Sequence, residues 1–311
     1  MTSKTRPSLN EVNGYLKSLS NWGRWGPQDE FGTLNYITPA KRLAAARLVQ
    51  KGFSVGCSRA ITTESAQDVA MVPLHFMMQT GTEAPEHGRG GARDFIGMVF
   101  HGQTVTHIDA FSHHFWDGKS YNGLDAKLVN ARDKASKGGI QLLRDGVVTR
   151  GVLLDIARVR GVEWMGPGDG IFPGDLEAAE KAQRVRVEQG DALLYRTGWP
   201  RAREVLGPRT REHPGLDAAC MPWLHQRQVA IICADSATDT SPTGYGKDIF
   251  SETPVHDVGL TAMGLWLVDN GDYETLAEVC IRENRWEFQF VMSTLRWNNA
   301  TGSPVNPIAI F

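Results

Sequence analysis

The sequence predicts an α/β fold, a mixed β-sheet core with surrounding helices in a single domain, and three observations carry that prediction. Short runs rich in β-branched and aromatic residues at 69–78, 95–100, 147–156, 192–195, 229–232 and 287–295 alternate with turn-forming clusters. Helical periodicity appears among them at 176–184, 218–226 and 273–282. No repeat, low-complexity tract or long Gly/Ser/Pro linker divides the 311 residues. Because strands and helices are interleaved rather than segregated, a layered sheet is expected, without a strictly parallel order.

Along the chain, Thr38 is placed to cap a helix that Pro39 opens, with Leu43, Ala46, Leu48 and Val49 as its apolar positions and Gly52 just beyond its end. Residues 1–50 therefore read as an N-terminal extension ending in a helix, and 51–311 as the main domain. The stretch 87–93, His-Gly-Arg-Gly-Gly-Ala-Arg, reads as a surface loop or lid, since no Lys-Ser/Thr ending marks a phosphate cradle.

A formal charge of -2, with 41% hydrophobic and 22% charged residues, describes an ordinary globular chain with no electrostatic grip on nucleic acid or an anionic membrane. No run approaches the roughly 20 apolar residues of a spanning helix. The first residues lack the apolar stretch of a signal peptide, so a cytoplasmic location is expected. Cys57, Cys220, Cys233 and Cys280 contain no Cys-x-x-Cys pair and are expected to be buried small apolar residues.

Four of the nine histidines fall at His101, His107, His113 and His114. Side chains alternate along an extended chain, so His107 and Asp109 share a face about 6.6 Å apart at the backbone. Neutral nitrogen and anionic oxygen at that spacing suit one divalent ion. His101 and His113 would stand roughly 40 Å apart if the chain were straight. The chain must therefore turn, and Ala110-Phe111-Ser112 is the expected place. His113 then returns toward the ion as a third ligand or proton carrier, and His114 packs elsewhere. Taken singly, His101, His75, His213 and His225 read as structural.

The segment from Gln103 to His113 resembles the signature His-x-Gly-Thr-His-x-Asp-x-Pro-x-His of the cyclase-like metal hydrolases, which include bacterial kynurenine formamidases and isatin hydrolases. It keeps Thr106, His107, Asp109 and His113 in register and departs at Gln103, Val105 and Phe111. Residues 189–199, ending Arg-Thr-Gly-Trp, and 234–241, an Asp- and Ser-containing stretch, are similar to further family segments. Residues 21–26 and 301–307 resemble a longer branch.

That resemblance implies a swivelling β/β/α fold, with His107 and Asp109 as metal ligands and His113 as the acid/base. Gln103 occupies the remaining ligand position of the signature, where an amide oxygen is a weaker donor than imidazole. His256 and Asp269 match a distant histidine and carboxylate of the family's metal site. The implied cofactor is Mn²⁺ or Zn²⁺, with one ion favoured by Gln103 and two still open. The implied reaction is hydrolysis of a small amide, imide or lactone. Phe111, Phe115, Trp116 and Trp199 are candidates for an aromatic substrate wall, and a homodimer or higher homo-oligomer is expected. Two rival readings are a non-haem iron oxygenase using a His-x-Asp…His triad, which lacks an arginine near position 266, and an inactive metal- or ligand-binding relative.

Overall fold

Parallel strands covered on both faces must be apolar throughout, and the centre of the sheet obeys this, with Val152–Leu154, Leu193–Tyr195 and Ile231–Cys233 all fully buried. The computed structural model describes residues 5–83, 88–208, 212–246 and 252–311. Two helices come first. α1 (Leu9–Ser18) starts at a reciprocal capping box between Ser8 and Glu11, and α2 (Pro39–Ala46) starts at Thr38 with Pro39 in its first turn. β1 (Ser54–Gly56), β2 (Leu74–Gln79), β3 (Arg93–Gly97), β4 (His107–Asp109) and β5 (Val147–Asp155) follow. Next come α3 (Pro173–Gln183), β6 (Ala192–Arg196), α4 (Trp199–Leu206), α5 (Met221–Arg227) and β7 (Ile231–Ala234). β8 (Trp266–Asp269), α6 (Glu274–Glu283), β9 (Glu287–Met292), β10 (Gly302–Pro304) and β11 (Ile308–Ile310) complete the chain.

Among the described residues one sheet has nine strands in the order β1-β11-β9-β5-β6-β7-β8-β4-β10. Its centre, β5 to β8, is parallel, and the strands flanking it on both sides are antiparallel. The fold is thus the mixed α/β sheet that the interleaving predicts. α2 and α3 pack on β5, and α1 packs on a π-helical segment, Asp257–Met263. Asn21 and Trp22 donate to the carbonyls of Met263 and Thr261, tying the first residues to that same segment. All four cysteines are buried and free. Among the described residues no helix is long and apolar enough to cross a membrane.

Four differences from the sequence expectations have local causes. α1 was not anticipated, because its apolar positions are too few to outline a stripe and its capping box is the main local signal. The helix expected at 218–226 divides, as Pro222 begins a separate α-helical stretch after a 3₁₀ turn. The runs at 69–78 and 95–100 form shorter strands that, among the described residues, pair only with each other. One face of that hairpin carries Leu74, Phe76 and Phe95, about half exposed, with the two phenyl rings stacked at 6.3 Å. Of the stretch 87–93, residue 87 lies outside the described residues and Arg93 opens β3.

Candidate metal centre

Three residues of β4, all buried, organise the site, and the two neighbouring strands decide what they face. β8 sets Asp269 opposite His107 and Leu267 opposite Asp109. Opposed residues of an antiparallel pair share a face, as do residues i and i+2 of one strand. His107, Asp109 and Asp269 therefore project together, and one ligand atom from each lies within 4.8 Å of the others. On the other side, β10 sets Gly302 opposite Asp109. A Cβ there would stand 2.9 Å from Cε1 of His101, so the missing side chain leaves the room that the His101 ring occupies.

Turns on both sides of β4 bring further histidines to Asp109. The 3₁₀ turn Phe111–His113 places His113 Nε2 4.0 Å from Asp109 Oδ2. Upstream, His101 folds back so that its Nδ1 is 2.9 Å from Asp109 Oδ1, and its ring stacks on that of His113. His107 Nε2 is 3.5 Å from the same Oδ1. From the helical turn Pro254–His256, His256 Nε2 reaches within 3.4 Å of Asp109 Oδ2 and 3.6 Å of Asp269 Oδ2. Both carboxylate oxygens of Asp109 thus face imidazole nitrogens.

Surrounding groups hold these donors in one orientation. His107 Nδ1 bonds the Val105 carbonyl at 2.8 Å, which assigns the proton to Nδ1 and leaves Nε2 bare. His256 Nδ1 bonds Asp239 at 2.5 Å, the carboxylate–histidine pairing that fixes the ring of a metal-binding histidine. Asp269 Oδ1 accepts from the N–H and hydroxyl of Thr238, leaving Oδ2 toward His256. Asn270, 1% exposed, donates to the carbonyls of Gly102 and Val105 and accepts from the Thr106 hydroxyl. The half-buried Arg59 donates from its guanidinium to the carbonyls of Gln103, Gly271 and Asp235. Asp235 in turn accepts from the Thr197 and Gly198 N–H groups at the head of α4, and burial pushes its carboxyl up to about 6.

Electrostatics and unmet bonding both fit a cation. Asp109 Oδ1 and His101 Nδ1 are buried, and despite their closeness neither has a hydrogen-bond partner. Such orphaned atoms are costly unless something else satisfies them. Burial pushes the Asp109 carboxyl up, but the imidazoles of His113, His101 and His256 outweigh this and hold it well below its ordinary value. Burial alone would lower His256, yet Asp109, Asp239 and Asp269 hold it well above. Burial brings His113 down to about 4 against the pull of Asp109. Imidazole nitrogens interleaved with two carboxylates form a donor set suited to Zn²⁺, Mn²⁺ or Fe²⁺.

The structure brings His107, Asp109, His113, His256 and Asp269 together. Gln103 lies on the wall of a cavity of about 290 Å³, shared with His213, Asp239, Thr253 and His256. The ring that reaches Asp109 from this segment is His101, a residue that reads as structural when taken singly. Two of the four expected wall aromatics are corrected. Phe111 is fully buried against Tyr121 and Trp266, rotated away from His113 by the 3₁₀ turn, and Trp199 is buried at the start of α4. Phe115 and Trp116 are half-buried just beyond His114. His114 faces away from Asp109 and bonds Asp257 at 2.6 Å. Asp239 lies in the flagged stretch 234–241, whereas Asn270 had no sequence signal beyond its place after Asp269.

A nine-stranded mixed sheet bearing this histidine–carboxylate cluster defines a class, and the comparisons agree. The Cyclase family model matches residues 61–239. A crystal structure described as a novel cyclase is 31% identical, covers 95% of this chain and 99% of its own, and superimposes with a TM-score of 0.84. The chain belongs to the Cyclase family. Isatin hydrolase A from Labrenzia aggregata, bound to benzyl benzoate, shares the fold at 17% identity and a TM-score of 0.57, covering 88% of this chain and 98% of its own. Isatin hydrolase A from Ralstonia solanacearum does so at 16% and 0.54, covering 88% and 97%. No curated protein matches the sequence.

Proposed function

We propose that the protein is a metal-dependent hydrolase that opens or cleaves a small amide, imide or lactone. The observation that carries this reading is Asp109, with both carboxylate oxygens facing imidazoles and His113 standing beside it. The residues that would hold the ion are His107, Asp109, His256 and Asp269. A bound divalent cation supplies a water of lowered pKa and polarises the substrate carbonyl. His113 is neutral near pH 7 and is the group placed to take a proton at Nε2 from the attacking water and return it to the leaving nitrogen or oxygen. His256, bonded to Asp239, and Asp269, bonded to Thr238, are held still during that transfer. Phe115 and Trp116 remain the candidate aromatic contacts for a ring-bearing substrate. The isatin hydrolases of like fold act on a cyclic amide, which supports a small ring-bearing substrate here.

A facial-triad oxygenase uses two histidines and one carboxylate. The second carboxylate, Asp269, favours the hydrolase over that reading. The proposed partner besides the substrate is a second copy of the chain. Elemental analysis of the purified protein, followed by turnover of a panel of aryl amides, cyclic imides and lactones, tests the function. The reading is overturned by a protein that carries no divalent metal, or by a metal-loaded protein inert on every class.

A further inference from the structure

The geometry points to His101 as a metal ligand of this chain, filling the position that the sequence signature assigns to Gln103. This inference rests on the hydrolase reading above. It is carried by the surroundings of one ring nitrogen and by the backbone that admits the ring.

His101 Nδ1 stands 2.9 Å from Asp109 Oδ1, the oxygen that His107 Nε2 also faces at 3.5 Å. Both Nδ1 and Oδ1 are buried and without a hydrogen-bond partner, so neither is committed elsewhere. The far side of the ring is anchored, with Nε2 3.1 Å from the Thr301 hydroxyl. In the tautomer that donates Nε2–H to the Thr301 hydroxyl, Nδ1 is bare toward Asp109, a division of labour like the one that Val105 imposes on His107 and Asp239 on His256. His101, Asp109 and His113 offer ligand atoms within 4.8 Å of one another.

The backbone is shaped to admit the ring. Gly302 faces Asp109 across the β4–β10 pair, and any Cβ there would collide with His101 Cε1 and the Phe100 ring at about 3 Å. Asn270 clamps the carbonyls of Gly102 and Val105, one at each end of the short loop between His101 and His107. The loop is thereby held closed, and two histidines six positions apart in sequence bring their ring centroids to 5.2 Å. Gln103 sits within that loop, on the wall of the cavity beside His256, with its backbone carbonyl accepting from Arg59. Imidazole is a stronger donor than an amide oxygen toward Zn²⁺. The substitution at 103 therefore leaves the nitrogen count of the site intact.

The test compares His101→Ala, His101→Gln and Gln103→Ala with the unaltered protein. Zn²⁺ affinity is measured by competition with a chromophoric chelator, and the number of imidazole ligands by X-ray absorption of the zinc-loaded proteins. Unfolding of the metal-free proteins shows whether each variant retains its fold. His101→Ala and His101→Gln are expected to weaken zinc by more than about 100-fold, beyond the 10–100-fold that loss of an outer partner costs. The imidazole count is expected to fall by one, and Gln103→Ala to stay within about threefold of the parent. Unchanged affinity and ligand count in folded His101 variants overturn the proposal, as does the reverse pattern, with Gln103→Ala the damaging change. An unaltered protein that binds no zinc and no manganese overturns the hydrolase reading itself and takes this inference with it.

Discussion

The rings of His101 and His113 lie face to face, 3.8 Å between centroids and within 2° of parallel. Twelve positions apart, they are joined by two reversals of the chain, one on each side of β4. The stack fixes the plane of His113, whose Nε2 is then aimed at Asp109 Oδ2 from 4.0 Å. It thereby ties the proposed proton carrier to the ligand cluster without making it one of the residues closest to Asp109.

His113→Ala is accordingly expected to remove turnover while leaving metal in place. General acid–base catalysis contributes about 10²–10⁴-fold, so kcat should fall by that factor while metal content per chain is unchanged. Loss of the metal with the ring would show that His113 is a ligand. The pH dependence has a definite sign. Burial brings His113 down to about 4, so its base form is present above that value and is lost as pH falls through it. Turnover should hold across the neutral range and decline toward pH 4, and the acid limb should disappear in the residual activity of His113→Ala.

Gly302→Ala tests the room made for His101. The added methyl would meet the Ile108 carbonyl at 2.5 Å as well as His101 at 2.9 Å, and the first of these is backbone that cannot swing away. Overpacking of this kind costs about 1–3 kcal/mol. Denaturant unfolding should show that loss together with weaker zinc binding. Parental stability and affinity would mean that the strand yields without displacing the ring.

How much of this was legible beforehand depends on distance along the chain. His107 and Asp109 are two residues apart in an extended segment, so alternation alone puts them on one face, and β4 does so. The positions of His256 and Asp269 came from the resemblance, since no periodicity links residue 109 to residue 269. The structure joins them through the antiparallel β8–β4 ladder, a pairing across some 160 residues that is set by the packing of the whole sheet. The closeness of His101 to Asp109 was not legible for a related reason: the required turn could be inferred, but the loop closure that Asn270 imposes depends on a residue some 170 positions away. Phe111 was misplaced because one helical turn is enough to rotate a side chain from the site into the core. The central strands were easy to find, being apolar without interruption. β2 and β3 had the same texture, and nothing in their composition said that they would pair apart from the main sheet.

Asn270 adopts the left-handed region at φ 59°, which asparagine tolerates better than most residues. Asn270→Gly keeps that backbone freedom and removes the amide, leaving the Gly102 carbonyl without its donor while the Val105 carbonyl keeps His107 Nδ1. A buried unsatisfied group costs about 1–3 kcal/mol. Asn270→Asp keeps the shape but turns an acceptor toward two carbonyls, and it should be the worse of the two. Unfolding midpoints ranked parent, Gly, Asp are the expected outcome. An aspartate variant as stable as the parent would show that the clamp is not needed.

The β2–β3 hairpin makes a prediction about assembly. An isolated two-stranded hairpin is marginal in water unless a face is covered, yet Leu74, Phe76 and Phe95 are 43%, 53% and 48% exposed on one side of it. The other side adds Met77 and Ile96, 49% and 58% exposed, beside the His75–Asp94 pair. The hairpin is expected to be covered by a second copy of the chain. Light scattering should give at least twice the chain mass for the parent, and a lower mass for a Phe76→Ser, Phe95→Ser double variant. A monomeric parent would sink the idea.

Asp239 is the residue whose removal best separates orientation from ligation. Its carboxylate holds His256 Nδ1 at 2.5 Å and accepts from the Val255 and His256 N–H groups, so it fixes both the ring and the turn that carries it. Asp239→Asn preserves the shape and an acceptor oxygen but weakens the charge that favours the Nδ1–H tautomer. Outer partners of this kind are worth about 10–100-fold in metal affinity. Asp239→Asn should lose zinc affinity within that range, whereas His256→Ala, which deletes the nitrogen itself, should lose more. Equal losses in the two variants would mean that His256 acts only through its position in the helical turn, and the ion would then have to be assigned to His107, Asp109 and Asp269 alone.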